Sequence, residues 1–322
     1  MLSALLLAAP TRAVLSSTRL LARYQPVQVL HPDEAFRPVA VGGFLSAALL
    51  DQRTAAGAWV PAGRPPRLPD ADPPDCTSTP GRPCWRLRQP GCTASTGVSS
   101  VACYAGLEAA QHSANVVYGA VHRSGRRIAL QYWYWYLDDF WSGAYPPSDY
   151  VWQAHEGDWE VVTVVLTRAG RPLFVGYSEH GCGKRRPWAR VPKRGRTHPL
   201  VYVALGSHAN YFEPGSHSLD LSPACYPALG AAILRSYLVE VLDRTARGLM
   251  LGPAPGALPV RIVRVTGTAP QWMRFPGAWG EAQFFHAPEP VGTTVAGPAP
   301  EGPARHAIWR DPIRTVLAWH GG

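Results

Sequence analysis

The densest run of polar side chains in the chain is WQAHEGDWE, which contains a histidine and three acids. In an extended strand alternate side chains share a face, so Asp158 and Glu160 point the same way while Trp159 packs on the other side. Gly157 permits a sharp turn that would bring His155 over both carboxylates. Because two carboxylates on one face repel each other unless a cation lies between them, the run predicts a metal site. The alternative is a pair of strand-edge charges bonded to nearby arginines.

The donor set indicates which cation such a site would take. One imidazole with carboxylate oxygens favours Ca²⁺ or Mg²⁺, with Mn²⁺ or Zn²⁺ as further candidates. A second acidic pair, Asp138 and Asp139, ends the aromatic run QYWYWYLDD where the chain is expected to turn. Either acid could complete the metal shell, and the alternative is an ordinary turn after a strand.

Two further runs, GYSEHG and GSHANY, end strand-like stretches with Ser, His and Gly. They predict that His180 and His208 line the same end of the fold. There they are candidates for proton transfer in a metal-assisted hydrolase. A serine hydrolase with Ser178 or Ser207 as nucleophile is disfavoured, because neither run has the G-x-S-x-G pattern in a strand–turn–helix context.

The elements that must position these side chains are mainly strands. Runs rich in aromatic and β-branched residues predict strands at 127–136, 159–167, 173–178, 200–205 and 260–266. Helices are predicted at 41–50 and 99–122, whereas 228–247 suits either a helix or a strand. The fold class expected is mainly β, a β-sandwich with a few peripheral helices and long Pro-rich loops.

The distribution of proline divides the chain into regions. Residues 61–83 and 288–303 are too rich in proline for helix interiors or central strands, so both are predicted as loops. We expect a signal or N-terminal extension at 1–26 and a single β-sandwich domain at 27–322. Residues 61–103 form a Pro- and Cys-rich loop region within that domain.

Cysteine usage predicts the compartment. The six cysteines are even in number and form no C-x-x-C pair. We expect the four early ones to pair among themselves and Cys182 to pair with Cys225, which implies an oxidising environment, secreted or cell-envelope. The apolar start resembles a signal peptide, although no positive residue precedes it. The sequence has no transmembrane helix, because no stretch approaches the roughly 20 apolar residues needed to cross a bilayer.

The net charge of +9 is concentrated in the run KRRPWARVPKRGR. The chain lacks zinc-finger, helix-turn-helix and RNA-binding strand motifs, so no specific nucleic-acid partner is predicted. The run is either a solvated loop or a surface that binds anionic lipid or glycan. Since three residues separate it from His180, we expect it at the same end as the metal site. Its candidate binding residues are Lys184, Arg185, Arg186, Trp188, Arg194 and Arg196.

Several separated segments resemble, in order, the vacuolar protein sorting-associated protein 62 family. They are VQVLHPDEAFRPVAVGGFL, QYWYWYLDD, HEGDWEVVTVVL, YSEHG, VYVALGSHANYF, FPGAWGE and GPARHAIWRDP. These segments span residues 27–312, so the resemblance implies that nearly all of the chain is one domain. The family itself implies no secure biochemical activity.

HEGDWE is also similar to the metal-binding heptapeptide of the necrosis- and ethylene-inducing-peptide-like toxins, which are β-sandwiches acting on membrane sphingolipids. This resemblance implies His155, Asp158 and Glu160 as ligands, with Asp139 or Asp138 as the preceding Asp. The toxins' glycan-reading loops have no counterpart here, so cytolytic activity is not implied. Two hypotheses remain open, a non-enzymatic metal-binding protein that recognises a lipid or glycan surface and a metal-assisted hydrolase. The oligomeric state stays unknown.

Overall fold

The computed structural model confirms a mainly β protein, with 43% strand and 18% helix. It describes residues 15–65, 67–79, 82–92, 101–111, 115–142, 151–219, 225, 242–286, 294–297 and 299–321. The described helices are short and are Ser17–Arg23, Val41–Ala47, Val101–Ala110, Ala307–Arg310 and Pro312–Ala318.

The strands vary widely in length, and the two longest are adjacent in the chain. In chain order they are β1 Val27–Val29, β2 Leu49–Arg53, β3 Trp59–Gly63, β4 Trp85–Arg88, β5 Val116–Ser124, β6 Arg127–Ser142, β7 Val151–Thr167, β8 Pro172–Glu179, β9 Cys182–Pro187, β10 Lys193–Arg194, β11 His198–Val203, β12 Asn210–Tyr211, β13 Gly215–Ser218, β14 Leu242–Thr245, β15 Met250–Leu251, β16 Arg261–Arg264, β17 Ala278–Trp279, β18 Gln283–His286, β19 Thr294–Gly297 and β20 His320–Gly321.

The largest sheet has seven strands in the order β16-β5-β6-β7-β8-β9-β20. At its centre β6 and β7 pair antiparallel, from Arg127 opposite Thr167 to Trp141 opposite Gln153. A five-stranded sheet holds β10, β11, β1 and β15 in that order, with β12 paired to β11. A four-stranded sheet has the order β17-β4-β2-β3.

The two faces of the large sheet bury different aromatic sets. On one face Trp135 and Trp159 lie 4.9 Å apart and pack against Trp279. On the other face Tyr136 Oη accepts a hydrogen bond from Gln28 Nε2 of β1 at 2.9 Å, and Tyr177 stacks on Phe212 at 4.0 Å. The five-stranded sheet therefore covers this second face, as a β-sandwich requires.

Five predicted strands are present, with longer or shorter bounds. The strand predicted at 127–136 runs on to Ser142, and the strand predicted at 159–167 begins at Val151. The helix predicted at 41–50 ends at Ala47. The helix predicted at 99–122 is wrong after Ala110, because Val116–Ser124 pairs with β6 as a strand.

The Pro-rich and ambiguous regions contain more strand than expected. β3 reaches Gly63 inside the predicted 61–83 loop, and β19 lies inside the predicted 288–303 loop. Pairing with β2 and with β18 supplies the hydrogen bonds that hold these segments extended. Of 228–247, residues 242–245 are strand, and residues 228–241 lie outside the described part of the chain.

The predicted cysteine pairing is confirmed. Cys76 bonds to Cys84, Cys92 to Cys103 and Cys182 to Cys225, with Cα atoms 6.0, 5.5 and 4.9 Å apart. These distances are normal for disulfides. None of the helices in the described ranges has the length and apolar character that crossing a membrane requires.

The helix Ser17–Arg23 adds to the core. Leu20 and Leu21 are 1% exposed, and the Leu21 carbonyl accepts a hydrogen bond from Tyr132 Oη at 2.8 Å. Part of the predicted 1–26 extension is thus packed on the sheet, while the domain limits themselves stay a prediction. The apolar start of the chain lies among residues 1–14, outside the described residues.

Gly157 changes which side chains of β7 face the five-stranded sheet. Its φ is +69°, and the pairing of β6 with β7 skips the Leu137–Gly157 position. Asp158, just after Gly157, faces the five-stranded sheet, and His155, two residues before Gly157, faces the same sheet. Strict alternation along the strand would place these two side chains on opposite faces. The glycine therefore brings side chains three residues apart to one face.

We predict that Gly157→Ala destabilises the fold by about 3 kcal/mol or more. An added Cβ would collide with the Trp135 ring and the Trp279 carbonyl oxygen, in a backbone region that favours glycine. Gly125→Ala is the matched control, because Gly125 also has positive φ (+52°) but open space around it. Urea unfolding followed by tryptophan fluorescence measures both; equal losses would contradict the steric argument.

Candidate functional site

Three side chains from the two central strands form a compact group. Asp139 lies near the end of β6, and His155 and Asp158 lie on β7. Each offers one ligand atom, and these atoms all lie within 4.8 Å of one another. All three residues are buried, with 5 to 7% of their surface exposed. We call Asp139, His155 and Asp158 the acidic centre.

His155 presents the lone pair of its Nε2 atom to the acidic centre. Its Nδ1 atom lies 2.7 Å from the Gly157 carbonyl oxygen, and because that oxygen only accepts, Nδ1 carries the proton. Nε2 then faces Asp139 Oδ2 at 3.6 Å. Burial lowers the pKa of His155, which favours the neutral ring. A neutral imidazole with its other nitrogen hydrogen-bonded to a carbonyl is a form that binds metal ions.

Asp139 lacks the partners that a buried carboxylate needs. Burial raises its pKa well above the ordinary value, and the Asp158 carboxylate raises it further. Its Oδ1 atom is buried and has no hydrogen-bond partner among the described residues. An unpaired buried acceptor is costly, and a cation among the three ligand atoms would remove that cost. The residues of the acidic centre therefore fit a metal ion.

His208 holds Asp158 from the opposite sheet. Its Nδ1 atom lies 3.0 Å from Asp158 Oδ2, and its Nε2 atom lies 3.4 Å from Glu34 Oε1. Burial alone would lower the pKa of His208, but the Glu34 and Asp158 carboxylates raise it well above its usual value. The fully buried ring stacks on Tyr136, with centroids 3.9 Å apart. His208 thus orients Asp158 and has both nitrogens engaged.

Glu160 lies beside the acidic centre in a separate hydrogen-bonded group. Its Oε2 atom accepts from the Ser178 hydroxyl and from Asn210 Nδ2, the latter at 3.1 Å. Burial raises the pKa of Glu160 well above its ordinary value, and Asp158 raises it further. The structure does not place Glu160 among the three clustered ligand atoms, so its role as a ligand stays a prediction.

Asp138 points away from the acidic centre. Its Oδ1 atom accepts a hydrogen bond from Gln283 Nε2 at 2.5 Å. Successive residues of a strand face opposite sides, so Asp138 and Asp139 cannot serve the same site. Of the two acids that the sequence offered, the structure brings Asp139 to the centre and leaves Asp138 out.

His180 belongs to a second buried pair. Its Nε2 atom lies 2.7 Å from Asp243 Oδ2, which also accepts from Tyr211 Oη at 2.6 Å. Burial alone would lower the pKa of His180, but the Asp243 carboxylate raises it. Burial alone would raise the pKa of Asp243, and His180 lowers it. The Ser207 hydroxyl donates to Asp243 Oδ1, so this group adjoins His208 in the chain.

Neither candidate serine nucleophile is hydrogen-bonded to a histidine within the described residues. Ser178 bonds to Glu160 and Ser207 bonds to Asp243. Both hydroxyls therefore position carboxylates, and the geometry does not support a serine hydrolase.

The basic run is not simply a loop, because its start lies in β9, Trp188–Arg190 forms a 3-10 helix and Lys193–Arg194 forms β10. Lys184 Nζ lies 3.0 Å from Glu179 Oε2, and Arg186 forms a two-point ion pair with Glu213. Arg185 donates to the Trp319 carbonyl oxygen at 3.0 Å. Three of the predicted binding residues thus have partners within the protein.

Among the other three predicted binding residues, the two arginines are exposed and the tryptophan is partly buried. Trp188 packs edge-on against Tyr24 with centroids 5.6 Å apart, whereas Arg194 and Arg196 are exposed.

The basic run begins near His180, where Lys184 pairs with Glu179, but its exposed arginines lie farther away. β9 runs away from His180, with Cys182 opposite Glu179 and Pro187 opposite Phe174. β11 starts at His198, which pairs with Arg194, and ends at Val203, which pairs with Asn210. Five residue steps of about 3.3 Å therefore separate the exposed arginines from the acidic end by roughly 17 Å.

The sequence analysis did not predict three residues that hold the site together, two with carboxyl and one with an amide side chain. Glu34 and Asp243 hold His208 and His180, and Asn210 holds Glu160. Asn210 is one of only two asparagines in the chain, which is a compositional signal for a specific role. Glu34 lies in the HPDEAF run, but nothing local to Asp243 marks it, because its partners come from β8, β12 and the turn after β11.

No protein-family profile matches the chain. The chain is 24% identical over 176 residues to vacuolar protein sorting-associated protein 62 of Saccharomyces cerevisiae, covering 48% of this chain and 34% of the yeast protein. It is 25% identical over 182 residues to the putative vacuolar protein sorting-associated protein TDA6 of the same yeast, covering 46% and 36%. The similarity expected from the sequence is confirmed, and it spans about a third of the length of these relatives.

Solved structures of the toxin group are also similar. Necrosis and Ethylene inducing Protein 2 from the causal agent of cocoa's Witches Broom disease is 17% identical, with 77% of each chain covered and a TM-score of 0.30. NLPPya in complex with mannosamine is 11% identical, with 80% of this chain and 79% of that chain covered and a TM-score of 0.31. Both resemblances noted in the sequence thus recur in the comparisons.

We predict that His180→Gln destabilises the protein by about 3 kcal/mol near pH 5.5, because Asp243 loses its buried partner. The raised pKa of His180 makes its contribution complete below the unfolded value of about 6.5 and lost as pH rises through the folded value. The lowered pKa of Asp243 makes its contribution present above about pH 4 and lost on acidification. Urea unfolding near pH 5.5 and pH 9 measures both, and a pH-independent loss would contradict the charged pair.

Proposed function

We propose that the protein is a divalent-cation-binding β-sandwich whose acidic centre holds Ca²⁺ or Mg²⁺. The observation that carries this proposal is the convergence of Asp139, His155 and Asp158, with the Asp139 Oδ1 atom buried and unpaired. Hard oxygen ligands favour these two cations over softer metals. Mn²⁺ and Zn²⁺ remain chemically compatible, because one ligand is an imidazole nitrogen.

The surrounding residues would prepare the acidic centre for a cation. The Gly157 carbonyl oxygen accepts a hydrogen bond from His155 Nδ1–H, which leaves Nε2 free to bind, and His208 orients Asp158. Such hydrogen bonds to the ligands raise affinity by fixing their orientation. When bound, a divalent cation would neutralise the two buried carboxylates of the acidic centre.

The contacts favour a binding role over hydrolysis. His208 is fully buried, with its ring nitrogens facing the Asp158 and Glu34 carboxylates, so the ring is not open to a substrate. The Nε2 atom of His180 is engaged by Asp243. The protein would act in a secreted or cell-envelope setting, where its three disulfides are stable.

The cation proposal predicts that Asp139→Asn abolishes measurable binding of Ca²⁺ and Mg²⁺. Asp138→Asn, the matched control one residue earlier, retains binding, because Asp138 bonds to Gln283 instead of the acidic centre. Isothermal titration of protein previously treated with a chelator measures both. Cation binding also stabilises the folded state, so saturating metal should raise the melting temperature of the control but not of Asp139→Asn. Equal binding by both variants would contradict the assignment.

We further propose that the exposed arginines contact an anionic surface at the other end of the sandwich. Arg194 and Arg196 support this, since both are exposed and neither has an acidic partner among the described ion pairs. An anionic lipid surface is our choice, and an acidic glycan is the alternative with the same charge. Because these arginines lie away from the acidic centre, such binding does not require the cation.

This surface proposal predicts that changing Arg194 and Arg196 together to Ser weakens binding to phosphatidylserine vesicles by roughly 30-fold, at about 1 kcal/mol per charge. High salt should weaken wild-type binding strongly. Changing the exposed Arg310 and Arg314 to Ser is a control with the same charge loss. Vesicle sedimentation measures all three proteins; equal weakening by both pairs would indicate only nonspecific charge.

A further inference from the structure

A cavity of about 150 Å³ adjoins the buried polar groups of the large sheet. Its lining combines aromatic rings with a few polar side chains, among them Trp133, Trp159, Trp319, Glu160, His180 and His306. The residues of the acidic centre do not line it. The cavity is therefore distinct from the candidate metal site, although Glu160 lies two residues from Asp158.

The aromatic rings form walls at steep angles to one another. The Trp133 and Trp159 centroids lie 6.4 Å apart with their planes at 77°. The His306 ring lies 5.9 Å from Trp133 at 49°. The Trp319 indole lies against β8 and β9, where added Cβ atoms on Gly176 and Gly183 would approach it within 2.8 Å. Trp319 is partly exposed, whereas Trp133 and Trp159 are buried.

Among the described residues, Glu160 provides the one acidic group in the lining. It is 5% exposed, and both hydrogen bonds that it accepts from the described residues end on Oε2. Its Oε1 atom therefore has no donor within the described part of the protein. The lining contains neither lysine nor arginine, and the charge of His180 is balanced by Asp243 at 2.7 Å.

We propose that this cavity binds a quaternary ammonium group, held by the indole faces and by Glu160. The faces of aromatic rings carry negative electrostatic potential, and several rings at steep angles surround an alkylated cation well. A neutral apolar ligand would leave the Glu160 Oε1 atom buried without a partner, and an anion would meet the carboxyl group directly. The group could belong to a free choline-type molecule or to a phosphatidylcholine head group. The proposal does not depend on the cation at the acidic centre.

The first test compares ligands of equal shape. Isothermal titration of the full chain with tetramethylammonium and choline should show binding at least about 10-fold tighter than with 3,3-dimethylbutan-1-ol, the uncharged isostere of choline. Equal affinity for the isostere would overturn the proposal, and so would tighter binding of methyl glucoside. Choline binding should persist in a chelator that strips the acidic centre. If the acidic centre binds no metal ion, the expected choline binding stays the same, so the two proposals can fail separately.

The second test uses variants of the lining. Trp319→Leu and Glu160→Gln should each weaken choline binding at least about 10-fold, while Trp319→Phe should retain most of it because an aromatic face remains. Trp59→Leu is the control, because Trp59 lies on β3 in another sheet and does not line the cavity. Unchanged affinity in Trp319→Leu would overturn the proposal even if Glu160→Gln failed to fold.

Vesicles then separate the two sources of the ligand. Sedimentation with phosphatidylcholine vesicles that is competed by choline would assign the pocket to a lipid head group. Choline binding without vesicle binding would assign it to a free ligand.

Discussion

Both the aromatic core and the acidic centre depend on the antiparallel pairing of β6 with β7. Trp135 and Trp159 lie on one face and pack against Trp279, whereas Tyr136 and Asp158 lie on the other. The glycine at position 157 interrupts that alternation, so His155 and Asp158 meet Asp139 on one side. A side chain at this position would collide with Trp135, which links the packing of the aromatic core directly to the geometry of the acidic centre.

Most of the buried carboxylates near β6 and β7 have a partner that compensates their charge or polarity. Glu34, Asp158 and Asp243 each meet a histidine, while Glu160 meets a hydroxyl and an amide. Burying carboxylates is favourable only when such partners are present. Asp139 is less well compensated, since its Oδ2 atom faces His155 at 3.6 Å but its Oδ1 atom has no partner among the described residues. Unsatisfied buried groups that persist in a folded protein commonly mark a ligand site.

The two faces of the large sheet differ in chemical character. The five-stranded sheet and its turns close over the acids, so that face presents charge in a narrow, buried space. The aromatic face is covered by the C-terminal helices, which leave a cavity between indole rings. The exposed arginines lie at the far end of β11, where neither of these sites is found.

The sequence determined the mainly β fold, the separation of the four early cysteines from Cys182 and Cys225, and the residue types of the acidic centre, because each depends on local composition or spacing. Which of the early cysteines bond to one another was decided by the structure. The strand signals around the HEGDWE run placed Asp158 and His155 correctly near each other. Only the tertiary structure decided between Asp138 and Asp139, and it set Glu160 apart with Asn210. It also placed Arg194 and Arg196 away from His180, because the direction of β9 depends on pairing with β8 and not on distance along the chain. Partners such as Asp243 come from remote segments, and long-range pairing leaves no signal in local sequence.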